Sequence, residues 1–146
     1  MDNKLKILAI IFLLISAGLI LNDYFNALKL ENYQFDLPEG FHSVGNNKNG
    51  DMKITNGKAT LFISKFNADD LNKSINSYKE HCAKNNYVVK ESNITLNNID
   101  IYKITETKLG STHYWFTHDG IGYSIYTWNK VENSDDIVSD LINKMI

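Results

Sequence analysis

The chain has 146 residues, 15 basic and 17 acidic side chains, and a formal charge of −2. Setting aside an apolar leader of about 25 residues leaves enough for one domain of ordinary size with its own core. That domain is weakly acidic, with 13 Lys against 15 Asp and Glu once Lys4, Lys6, Asp2 and Asp23 are removed, which excludes nucleic acid and acidic membrane surfaces as electrostatically favoured partners.

Every basic residue is Lys, so recognition of phosphates, carboxylates or base edges through the planar guanidinium fork is excluded as well. The single cysteine, Cys82, cannot form an intramolecular disulfide. It falls in a helical pattern, where a buried thiol acts as a small hydrophobe.

Leu5–Leu21 opens the chain with a run that is uncharged from Ile7 onward and has Ser16 as its only hydroxyl. As a helix it spans roughly 22–26 Å, slightly less than a hydrocarbon core of about 30 Å. Lys4 and Lys6 precede it and Asp23 follows it, which orients the N-terminus to the cytoplasm and the rest outside. Ser16-Ala17-Gly18 supplies the small residues of a cleavage site, yet Leu19-Ile20-Leu21 would then become a greasy new terminus. Leu19 also stands where a lipoprotein needs its cysteine. The expected organisation is an uncleaved single-pass anchor at 1–25, a connector at 26–32 and an extracytoplasmic domain at 33–146. The alternative is a cleaved, secreted form of the same domain. Tyr24 and Phe25 sit where interfacial aromatics settle.

Tyr33–Leu37 alternates with the period of a half-buried strand, and Pro38-Glu39-Gly40 breaks it before Phe41 begins a return. Gly45–Gly50 reads as a polar loop without a phosphate-cradling motif. Met52–Thr55 and Ala59–Ile63 flank Asn56-Gly57, the composition of a two-residue hairpin turn. Asn67–Asp70 offers capping groups for a helix carrying Leu71, Ile75, Tyr78 and Cys82 on one face, ended by Asn85-Asn86. Strand patterns resume at Tyr87–Val89 and around Ile99, Ile101 and Ile104. Thr112–His118 and Ile121–Trp128 flank Asp119-Gly120 as a second hairpin. Ser134-Asp135-Asp136 then starts a last helix with the stripe Ile137, Val138, Leu141, Ile142 and Met145.

Three strands, a helix, about four strands and a helix make an α+β domain: an antiparallel sheet with two helices packed on one face. The opening Phe35–Phe41 and this element order resemble the PsbP-like and Mog superfamily. The resemblance implies that architecture and, because its members differ widely in function, no activity or site.

No constellation of catalytic type emerges, and no cofactor motif is present. His113 and His118 are five apart on one strand and point to opposite faces, and no His-x-x-x-His or Cys-x-x-Cys occurs, so no metal site is expected. Asp69-Asp70 and Asp135-Asp136 are accounted for as helix first turns. The sequons at Asn72 and Asn93 are permitted glycan acceptors only. A two-residue turn at Asp119-Gly120 pairs His118 with Ile121, Phe116 with Tyr123, Tyr114 with Ile125 and Thr112 with Thr127. On the other face His113 opposes Tyr126 and Trp115 opposes Ser124, with Trp128 at the end. His113, Trp115, Tyr126 and Trp128 are therefore the candidate ligand-binding residues, an aromatic platform suited to a glycan or a protein partner. The structural alternative is that a helix covers this face or that the rings only brace the ribbon. The expected protein is a membrane-anchored, outward-facing binding or assembly-support domain. An enzyme or enzyme subunit, marked by a cleft where a His and a carboxylate converge, is the second expectation.

Overall fold

The structure, a computed structural model, describes residues 36–46 and 50–145. The anchor, the connector and the first three residues of the Tyr33–Leu37 strand pattern lie outside the described residues, and Asp36–Pro38 form no strand. Among the described residues no helix is long and apolar enough to cross a membrane. Residues 36–146 make one compact unit.

Its elements are β1 (His42–Asn46), β2 (Met52–Thr55), β3 (Thr60–Asn67), a 3-10 turn (Ala68–Asp70), α1 (Leu71–Lys84), β4 (Val89–Leu96), β5 (Ile99–Glu106), β6 (Thr112–His118), β7 (Ile121–Thr127) and α2 (Ser134–Met145). The strands form one seven-stranded sheet in the order β1-β2-β3-β7-β6-β5-β4, antiparallel throughout. This is the expected α+β class. The first strand, however, is His42–Asn46, which includes residues expected in the polar loop.

Turn chemistry fixes the registers. Asp119 and Gly120 take positive φ angles of 47° and 76°, the mirror-image turn that matches strand twist, and every pairing expected from His113 to His118 is observed. Thr112 joins Thr127 through its backbone N–H, which donates to Thr127 Oγ1 at 2.9 Å. Asn97 and Asn98, at 52° and 62°, build a third turn of the same kind between Leu96 and Ile99. Asn56-Gly57 behaves differently. The closing pair is Thr55 with Thr60, so the loop has four residues, and Asn56 Oδ1 accepts from the N–H groups of Lys58 and Ala59. The Asn side chain organises this turn in place of a left-handed Asn backbone.

The two helices cover opposite faces of the sheet, contrary to the expected one-sided packing. Successive residues on a strand point to opposite sides. Trp115 Nε1 donates to Ser74 Oγ of α1 at 3.1 Å, whereas its neighbour Tyr114 donates from its hydroxyl to Asp135 Oδ1 of α2 at 2.7 Å. The physical reason is visible in β6, where Tyr114, Trp115 and Phe116 are all at most 1% exposed. A continuous apolar run of this kind marks a strand buried on both sides, as opposed to an alternating one. Ile54, Leu61, Ile63 and Ile125 share the Tyr114 face of the sheet and are fully buried, as are Val138, Leu141 and Ile142 of α2. Ile104 and Trp115 lie on the α1 face.

α2 is pinned by its first turn. Lys103 Nζ bonds both Asp135 oxygens, at 2.7 and 2.9 Å, and the Tyr114 hydroxyl also shares a 2.7 Å bond with Ser134 Oγ. Partial burial opposes ionisation of Asp135, but the bonds from Lys103 and Tyr114 outweigh it and lower the carboxyl's pKa. Tyr114→Phe deletes one hydroxyl and two of these bonds, so equilibrium unfolding should show a loss of about 1–2 kcal/mol.

Candidate functional site

α1 lies over β5 and β6, where Ser74 accepts from Trp115 Nε1 and Lys79 Nζ donates to the Tyr102 hydroxyl. Beside its edge lies a cavity of about 360 Å³. The sheet supplies Phe62 and Ser64 from β3, His113 from β6, and Ser124 and Tyr126 from β7, with Trp128 just beyond. Tyr78 and His81 of α1 form the near wall, and Asp51 enters from the segment before β2. Strand alternation explains the set: Phe62, Tyr126 and His113 are cross-strand neighbours on one face, as are Ser64 and Ser124.

Of the four sequence candidates, the cavity brings three together. His113, Tyr126 and Trp128 line it, and Trp128 remains 58% exposed at the rim. Trp115 does not take part. It is 1% exposed, roofed by α1 and stacked on His113 with ring centroids 3.8 Å apart. The platform expected from a bare β6–β7 hairpin is thus interrupted because α1 occupies its Trp115 end. What remains is a corner. Phe62, Tyr126 and Trp128 have centroids 6.3, 6.3 and 6.5 Å apart, and two of the three pairs meet at steep angles of 65° and 84°. Lys53 Nζ stands 6.0 Å from the Phe62 centroid.

His113 is the unusual group. Its ring lies on Trp115, takes the edge of Tyr78 at 4.7 Å and faces Tyr126 at 5.3 Å. Both ring nitrogens are shut off from solvent and neither has a hydrogen-bond partner, the only such side-chain atoms among the described residues. Burial alone drives its pKa down to about 3, so the imidazole is neutral across the ordinary pH range. Leaving a buried polar atom unpaired costs on the order of 1–3 kcal/mol. Burial also raises the Tyr78 hydroxyl, with the fields of Cys82 and Tyr126 adding to it. Ser64 Oγ donates to Asp51 Oδ1 in a short bond. Among the described residues no group of three or more His, Cys, Asp or Glu could hold a metal ion.

Asp51, Phe62, Ser64, Tyr78, His81 and Ser124 were not reached from sequence. The missing signal is the β3–β7 pairing, which seats Phe62 opposite Tyr126 across more than half the domain. Tyr78 was legible on the buried face of α1, but not the side of the sheet to which that face turns.

No family model and no curated protein matches the chain. A crystal structure of a protein from Bacteroides thetaiotaomicron VPI-5482 is similar at 12% identity with a TM-score of 0.48, over 75% of this chain and 42% of that one. The chain therefore spans less than half the length of that neighbour.

Proposed function

We propose that residues 33–146 form a ligand-binding domain, held outside the cell membrane by the N-terminal single-pass anchor and supporting an envelope assembly or capturing a ligand there. One observation carries the binding part: a 360 Å³ cavity with aromatic walls that runs against a buried imidazole with two unpartnered nitrogens. Pockets of this size, mostly apolar with a few convergent polar groups, are the usual form of small-ligand sites. Binding is favoured over catalysis because an imidazole that stays unprotonated down to about pH 3, with no group orienting it, makes a poor general base. Kinship with the PsbP-like and Mog superfamily belongs to the same proposal and rests on the element order and the Phe35–Phe41 opening.

The binding reading is tested by a thermal-shift screen of small molecules on the full-length protein in non-ionic detergent. A ligand at 100 times its Kd should stabilise the wild type by about 2.7 kcal/mol and leave Trp128→Ala and Phe62→Leu unshifted. Equal shifts in all three proteins would place the ligand elsewhere and end the reading. The anchor is tested by mass spectrometry of the native N-terminus, where Met1 or Asp2 is expected and a terminus near Leu19 refutes it.

A further inference from the structure

We infer that one end of the sheet is a lipid-facing surface, which lays Tyr87, Val88, Leu109 and Trp128 in the headgroup region of the bilayer outside the cell. The inference rests on the anchored reading above and adds how the domain meets the membrane.

Strand register defines this end. His42 pairs with Thr55 and Thr55 with Thr60, Leu61 pairs with Thr127, Thr105 with Thr112, and Val89 with Glu106. The Thr112 N–H bond to Thr127 Oγ1 closes the row. Of the five large apolar side chains exposed among the described residues, four stand in the loops at this end: Tyr87, Val88, Leu109 and Trp128. Val88 is 69% exposed and Leu109 53%. Single exposed apolar residues are ordinary, but a shared patch marks a contact surface. Here the loops touch. Thr107 N–H donates to the Val88 carbonyl at 2.9 Å, Asn129 N–H donates to Ser111 Oγ at 3.1 Å, and Gly110 is packed against Lys130. Tyr87, Val88 and Leu109 line one shallow hollow. Glu106, itself buried, accepts from the N–H groups of Lys108 and Leu109, so the turn is held from inside while Leu109 stays at the surface.

The entry of the chain selects the occupant. Asp36–Phe41 leads directly into His42, so the polypeptide reaches the domain at this same end. Ten residues, 26–35, separate that entry from the apolar leader, and fully extended they span at most about 36 Å. The opposite end of the sheet is a strand's length away, about 25 Å, and turning it to the bilayer would consume most of that tether. Composition fits the same occupant. Trp and Tyr settle at membrane interfaces, and Lys can lay its stem along apolar surface with the ammonium in water. Lys58, Lys108 and Lys130 are exposed in these loops, and Glu39 and Glu132 nearly balance them. Contact is therefore by apolar insertion and needs no acidic lipid, in keeping with the weakly acidic domain.

The test uses full-length protein in phosphatidylcholine nanodiscs, with and without bromine on the upper acyl chain, and reads tryptophan emission. The chain has two tryptophans, and Trp115 is buried, so the difference between wild type and Trp128→Phe isolates Trp128. Bromolipid should quench the Trp128 signal by about half, and the double variant Val88→Ser, Leu109→Ser should reduce that quenching about twofold or more with circular dichroism unchanged. Trp128 emission indifferent to bromolipid, in protein that co-elutes with the nanodiscs, would overturn the lipid-facing surface and leave the anchor standing. Failure to co-elute would overturn anchor and surface together. Absent quenching together with a dimer in detergent that the double variant dissolves would give this face to a second copy of the chain.

Discussion

Trp115→Ala should destabilise the domain by about 3–5 kcal/mol, the range for truncating a fully buried large aromatic. Three losses combine at this position. The indole is 1% exposed, so almost all of its surface is removed from water on folding. Its N–H bond to Ser74 is a direct tie between β6 and α1. Its ring also supports His113 at 3.8 Å and Tyr78 at 5.4 Å, so the void would sit beneath the helix that walls the cavity. Trp128→Ala is the matched control. That ring is 58% exposed, and its loss should change stability by no more than about 0.5 kcal/mol. Urea unfolding of both variants, read as a shift in midpoint at constant slope, measures the contrast. Similar midpoints for the two would mean that α1 does not cover Trp115.

The second large effect is with acid. His113 titrates near 6.5 when unfolded and near 3 when folded, because burial disfavours its charged form. Between those values the unfolded chain binds a proton that the folded chain does not. His113's contribution to stability is thus complete above about pH 6.5 and is lost as pH falls toward 3, at a slope approaching about 1.4 kcal/mol per pH unit. Asp135, whose carboxyl is lowered from 3.8, adds a loss of the same sign, but in a more acidic window. His113→Phe retains a ring against Trp115 and removes both unpaired nitrogens. Its stability should therefore be nearly flat from pH 6.5 to pH 4.5, where the wild type falls. Denaturant melts at pH 7.0, 5.5 and 4.5 distinguish the two, and parallel curves would show that another group governs the acid response.

Local features were legible in the sequence to the extent that local chemistry determines them. Asp119-Gly120 specified its turn and hence the alternation of His118 back to His113, because a two-residue mirror-image turn permits only one register. Ser134–Met145 announced its apolar stripe, and Val138, Leu141 and Ile142 are its buried members. Asn56-Gly57 marked the right place but the wrong loop, since the same dipeptide also suits a turn closed by the Asn side chain. The side of the sheet chosen by each helix was not legible. β6 is apolar on both faces, so its pattern does not state which face a given helix covers. The cavity was half legible for the same reason: His113, Tyr126 and Trp128 share a hairpin, whereas Phe62, Asp51 and Tyr78 reach them only through pairings distant in sequence.

The central place of β7 has a consequence for the order in which the molecule can be completed. β1–β3 and β4–β6 are each a self-contained meander, and β7 is the strand hydrogen-bonded to both. Until Ile121–Thr127 has left the ribosome, nothing joins the two halves into one sheet, and Ser124, Tyr126 and Trp128 are missing from the cavity. Chains interrupted upstream of Ile121 should behave as two unassembled ribbons with bare edges, prone to aggregation and to proteolysis. The pocket therefore forms late and all at once, with the last strand acting as keystone for both it and the fold.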